Sequence, residues 1–334
     1  MNDLLWLLLG VMAVLAAAAI AVPLTVLMWW AGWTQRAQPT FDAAAPAVPF
    51  PAAPVPAAPA AGPFLVYFSG VCDISDVYQS RYEDDLLEAV AARLPGLVVI
   101  TDVFGFSVNN LSMTSQRRLG WFWTWVHDVR LRKGSPFQRA GVLINLRNIL
   151  HVSVSADARY GPVYNYSVAE MTVQGLLRHG YILSSGAPVA LLGFSGGAQI
   201  ALAVAGTVQA TLHAPVQVIT MGGIMNSSAS LRTIMRLTLL YGTRDHARWF
   251  PDLIFPARWP IFKNSEWNRS RRAGKIQRIC LGPLTHTKRD SYLDGTAHLP
   301  DGRSYRDATA DAIADAIADA IAELPAGLPS SLGL

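Results

Sequence analysis

Cysteine is almost missing from this chain of 334 residues: Cys72 and Cys280 are the only two. Two such distant thiols make no disulfide framework and show no metal-ligand spacing, and neither a metal nor a cofactor is expected. As small weakly polar side chains, both are expected to be buried, in keeping with a reducing compartment. Charge is sparse as well, at 15% of residues, and the net charge of +4 is modest. The basic clusters at Arg130–Lys133 and Arg269–Arg272 are too short to argue for nucleic acid. A solvated face or a contact with anionic lipid headgroups fits them better.

Between Leu4 and Trp33 there is no charged residue at all. As one helix this stretch would be about 45 Å long, enough to cross a bilayer with tilt to spare. Trp6 at one end and Trp29, Trp30 and Trp33 at the other stand where interfacial aromatic belts form. Residues 1–36 therefore read as a single-pass membrane anchor. A cleaved signal peptide is the alternative, with Ala16 to Ala19 resembling a cleavage site, but only Met1-Asn2-Asp3 stands where a basic region should precede it. Arg36 is the basic residue nearest a flank, and the positive-inside bias then leans toward a cytoplasmic body. Residues 37–63 are dominated by alanine and proline, a composition that favours extended tethers over packed structure.

A globular domain over residues 64–325 follows, with ample apolar content in a chain that is 51% hydrophobic. Short apolar runs at Phe64–Phe68, Leu97–Ile100, Val189–Leu192, Val216–Thr220, Leu237–Tyr241 and Ile276–Leu281 read as strands buried on both faces. Ser80-x-x-Glu83 is a capping box opening a helix that runs to Leu94 and stops at Pro95-Gly96. Strands alternating with helices imply a mostly parallel, doubly wound α/β sheet of about six strands. The span of about 105–166 is too long for a simple crossover and contains Trp121-Phe122-Trp123-Thr124-Trp125. It is either a lid over a site or a helical insert packed on the domain. Near the end, Asp307, Asp311, Asp315 and Asp319 recur every fourth residue with isoleucines between them. Their mutual repulsion requires the Ala/Ile face to hold this helix on the sheet.

The chemistry is concentrated at strand ends. Gly193-Phe194-Ser195-Gly196-Gly197 joins an apolar strand to the helix-like run Ala198–Val204, with a serine at the apex. A hydroxyl is a weak nucleophile unless it is held out of the sheet beside a base and near backbone donors. Asp245 lies just past Leu239-Leu240-Tyr241, and His286 just past the next strand. Asp252, Asp290 and Asp294 rival the acid, and His246 and His298 rival the base, though none follows a strand so directly. His127, His151, His179 and His213 fall on helix-like segments and read as surface or packing residues.

On these motifs, from about Phe64 to Leu324, the sequence resembles the α/β-hydrolase superfamily, including Tyr292-Leu293 after the histidine. The resemblance implies that Ser195 attacks an acyl carbonyl, His286 shuttles the proton and Asp245 fixes the imidazole tautomer. It also implies oxyanion donors at the amide of Gly196 and in the turn Ser69-Gly70-Val71, where Val71 is preferred; Ser69-Gly70 replaces the common His-Gly pair. The expected activity is hydrolysis of a carboxylic ester, of a small or lipid-like substrate. An acyltransferase using the same triad, or a non-catalytic domain binding a membrane partner, are the alternatives.

Overall fold

The computed structural model describes residues 62–72, 81–107, 125–126, 128, 142–287 and 289–324. The expected anchor, nearly all of the tether, Ser80 of the capping box, His127 and residues 121–124 of the aromatic run lie outside these residues. Among the described residues no helix is long and apolar enough to cross a membrane.

Six strands form one sheet: β1 (Phe64–Phe68), β2 (Val98–Ile100), β3 (Val189–Phe194), β4 (Val216–Met221), β5 (Leu237–Tyr241) and β6 (Ile276–Cys280). Every pairing is parallel, and the order is β2-β1-β3-β4-β5-β6. This is an α/β architecture that fits the hydrolase-like sheet implied by the sequence. Alternation along the strands feeds two cores. Phe64, Val66, Leu191, Val218 and Leu239 face one side, while Leu65, Tyr67, Leu192, Ile219 and Leu240 face the other.

On the first side lie α2 (Val142–Ala156), α3 (Gly161–Arg178) and α4 (Gly197–Leu212), with Ile144, Val168 and Ile200 in the core. Residues 142–166, most of the described part of the long insertion, are thus packed structure, with Tyr164 buried and donating its hydroxyl to the Gly105 carbonyl at 2.7 Å. Two short helices, α5 (Phe250–Ile254) and α6 (Glu266–Arg272), follow β5. The second side is covered by α1 (Arg81–Arg93) and α7 (Tyr305–Ala322), which pack together.

The aspartate row of α7 is partly neutralised. Arg93 reaches both Asp307 and Asp311, and Arg303 also bonds Asp311. The apolar face still holds the helix: Ile313 and Ile317 are buried in the second core, and α7 contacts β4 and β5. Ile313→Ala should lower the unfolding free energy by about 2–5 kcal/mol, read as a lower urea midpoint with an unchanged slope.

Two expectations are corrected. The run Ile276–Leu281 is not buried on both faces, because β6 is the sheet edge and Gln277, Arg278 and Cys280 are exposed. An edge strand that carries a charge on its open side resists pairing with other chains. For the same reason Cys280 is exposed, as is Cys72 in the turn after β1.

Candidate active site

β1 is followed by a strand on one side of it, β2, and then by β3 on the other. The crevice between β1 and β3 at the carboxyl edge is therefore where the winding direction reverses, the usual binding position in open α/β sheets. Both the turn 69–71 and the serine elbow open onto it.

Ser195 leaves β3 in the left-handed region at φ 53°, which is uncommon for a residue with a side chain. The surroundings hold it there. Its N–H donates to the Met221 carbonyl at 3.0 Å, and its own carbonyl accepts from Ala198 and Ile224. The chain then enters α4 at Gly197, where a Cβ would stand 2.3 Å from the Phe68 carbonyl oxygen, so only glycine lets the helix start this close to β1. The amino end of α4, with its unsatisfied N–H groups and positive dipole end, lies at the hydroxyl.

The strained turn places Ser195 Oγ 2.8 Å from His286 Nε2. His286 sits on the loop after β6, which is closed by the Thr285 N–H donating to the Asp290 carbonyl at 2.7 Å and the Thr285 hydroxyl donating to that of Arg289. Its ring stacks on Phe194, with centroids 5.5 Å apart. On the other side, Nδ1 is 3.1 Å from Asp245 Oδ2. Asp245 is buried, and its carboxylate also accepts from the Ala247 N–H at 2.8 Å and the Tyr292 hydroxyl at 2.6 Å. Burial raises the Asp245 carboxyl, but the bond and charge of His286, with those two donors, outweigh it and hold the group below its ordinary value. An ionised carboxylate only accepts, so Nδ1 carries the imidazole proton and Nε2 is free to accept from the serine.

Sequence reasoning gave no role to three residues that shape this array, Tyr292 among them although its place after the histidine was noted. Tyr292 accepts from the Gly242 N–H at 2.9 Å while donating to Asp245, tying the acid to the loop after β6. Burial first, then the adjacent Asp245 carboxylate, pushes its hydroxyl far above the usual phenol range, so it stays a donor. Gly222, at φ 51° after β4, is the second: a Cβ there would meet Asp245 Oδ2 at 2.6 Å and His286 Nδ1 at 2.9 Å. The Gly222-Gly223 pair at a strand end was the available signal. Gly222→Ala should lower kcat about 100-fold, the scale of a small misplacement of reacting groups. A crystal structure of the variant should show the acid and base pushed apart.

The third is Asn148. Its Nδ2 donates to the Val71 carbonyl at 2.9 Å, and its Oδ1 accepts from Arg147 Nη1, which also donates to the Phe106 carbonyl. Arg147 is half-buried, and desolvation lowers its guanidinium to about 10. The turn this network holds lies against the elbow, since a Cβ on Gly196 would stand 2.5 Å from Val71 Cγ1. The two expected oxyanion residues, Gly196 and Val71, are thus neighbours beside Ser195.

The rivals are occupied elsewhere. Asp252 bonds Arg258, Asp290 faces Arg244 at 3.7 Å, and Asp294 accepts from the N–H groups of Asp290, Thr296 and Ala297. His246 and His298 are exposed. His151 is buried in α2, where desolvation and then Arg147 hold it well below the ordinary imidazole value. His179 lies 3.5 Å from Asp102, and His213 ends α4 in a left-handed cap.

A groove of about 490 Å³ reaches the imidazole and is lined by Tyr82, Phe194, His286, Arg289, Ser291 and Thr296 among others. A larger hollow of about 730 Å³ lies at the opposite, amino edge of the sheet, beside His213, Pro215 and Met235. It is remote from the array, and its wall is mostly apolar.

No family model matches the chain, and no curated protein does. Among solved structures it is similar to a dienelactone hydrolase from Anabaena variabilis, at 14% identity, with 79% of this chain and 88% of that one covered and a TM-score of 0.32. So distant a likeness carries no argument about this chain's chemistry.

Proposed function

We propose that the chain is a serine hydrolase that cleaves a carboxylic ester through an acyl-enzyme. The observation that carries this reading is the unbroken relay Ser195 Oγ, His286 Nε2, His286 Nδ1, Asp245 Oδ2, with spacings of 2.8 and 3.1 Å. His286 takes the serine proton as Oγ attacks the carbonyl carbon and returns it to the leaving alkoxide; water then repeats the sequence and frees Ser195. Gly196 and Val71 supply the amides for the developing oxyanion, aided by the amino end of α4. No metal or cofactor enters the proposal. Anchoring by residues 1–36, on the strength of the charge-free run from Leu4 to Trp33, would keep the domain beside a membrane and near lipid-like esters.

A fluorophosphonate probe on the full chain tests the reading. One adduct on Ser195, absent from Ser195→Ala, is expected; an unlabelled wild type, or labelling that persists in the variant, overturns it. Asn148 is a positioning residue in this scheme. Asn148→Leu should lower kcat about tenfold to 100-fold with KM nearly unchanged, because the turn that offers an oxyanion donor loses its anchor. Equal loss in labelling rate by the fluorophosphonate checks that the defect lies in the reacting geometry.

A further inference from the structure

The segment after the acid inverts the usual division of surface and core. Over residues 246–262, a short 3-10 turn, α5, a second 3-10 turn and the turn that follows it expose Trp249, Phe250, Leu253, Ile254, Ile261 and Phe262, with Leu253 at 72% and Ile261 at 74%. What the segment buries instead is an arginine. Arg258 is 8% exposed, donates to the Met225 carbonyl and to Asp252 at 2.9 Å each, and stacks 3.7 Å from the Trp267 ring centre. The polar anchor fixes the segment to the loop after β4, leaving the apolar side chains outward. Isolated exposed apolar residues are ordinary, but six of them within one short stretch, each at least 46% exposed, mark a contact surface.

Charge identifies what the surface meets. Residues 244–289 contain eleven lysines and arginines against three acids, a net +8 in a chain whose total is +4. Two of these cations adjoin the apolar side chains. Arg248 lies 4.5 Å over the Trp249 ring, and Arg272 donates to the Lys263 carbonyl, directly beyond Ile261-Phe262. Neither hollow described above is lined by the six residues. Tryptophan, phenylalanine and branched aliphatics ringed by arginine and lysine match the headgroup boundary of an anionic bilayer, where rings and chains enter and cations stay at the phosphates.

We propose that residues 246–262 form an interfacial surface that docks the domain on an anionic phospholipid bilayer. The segment starts at the residue after Asp245 and is tied by Arg258 to the loop after β4, so docking would bring the lipid close to the Ser195 array. The proposal stands apart from the serine chemistry and would survive its failure.

The test uses the full chain with Cys72→Ser and Cys280→Ser, reconstituted in phosphatidylcholine vesicles with or without one quarter phosphatidylglycerol. Nitroxides are attached through Leu253→Cys or Ile261→Cys, with Asp319→Cys on the exposed side of α7 as the control. With phosphatidylglycerol, positions 253 and 261 should gain oxygen collisions and lose collisions with a water-soluble nickel complex. The shift should correspond to about 5–10 Å below the headgroups. Position 319 should stay aqueous. Lys263→Glu with Arg271→Glu and Arg272→Glu should abolish the shift. Labels that remain water-accessible, or a depth independent of lipid charge and of the reversal, overturn the proposal. Labels already shielded without vesicles also overturn it, because another part of the chain, a second copy or a protein then covers the surface.

Discussion

Ser195→Ala is expected to lower kcat toward an activated aryl ester by about 10⁶-fold, and His286→Ala by nearly as much, with the double variant no worse than either alone. The expectation of non-additivity comes from the geometry: the two side chains share one proton across 2.8 Å. Without the imidazole the hydroxyl stays a weak nucleophile, and without the hydroxyl the imidazole has nothing to activate. What survives should be rate supplied by the oxyanion amides and substrate binding alone. Steady-state rates of the singles and the double, measured on preparations freed of contaminating esterase by affinity and gel filtration, decide the matter. Losses that multiply would mean that serine and histidine act independently and would overturn the proposed relay.

How much of this was legible beforehand depended on whether a residue's role is local. The strands were visible because each run is short and apolar, and all six begin and end within two residues of the expected bounds. Ser195, Asp245 and His286 were visible because each follows a strand, and parallel strands all end at one edge. The edge position of β6 was not, since Ile276 and Ile279 give it the apolar look of an interior strand while the pairing order decides its exposure. Nor was Asn148, which sits on a helix with no local sign that its amide reaches a carbonyl 77 residues upstream. Gly222 gave only a generic turn signal. Its purpose is defined by two side chains from other loops that crowd the place where a Cβ would be.

Asp245→Asn should lower kcat by about 10⁴-fold while the fold stays intact. The carboxylate accepts from Ala247 N–H on one oxygen and from Tyr292 and His286 on the other. An amide has one acceptor and one donor end and must choose. Turning its NH₂ toward the Ala247 N–H would oppose two donors in a buried site, a cost of about 1–3 kcal/mol. The oxygen therefore keeps Ala247, and the NH₂ faces the imidazole. A donor at that position forces Nδ1 to accept, so the ring proton moves to Nε2 and the acceptor for the serine hydroxyl is lost. Tyr292 can adapt by rotating its O–H, so thermal stability should fall only slightly. Because burial is outweighed by its donors, the native carboxyl stays ionised below the ordinary carboxylate range, and the gap between wild type and variant should persist down to about pH 5. A pH–rate profile of both proteins on the same ester checks this. A variant within tenfold of wild type would mean that Asp245 does not set the imidazole tautomer.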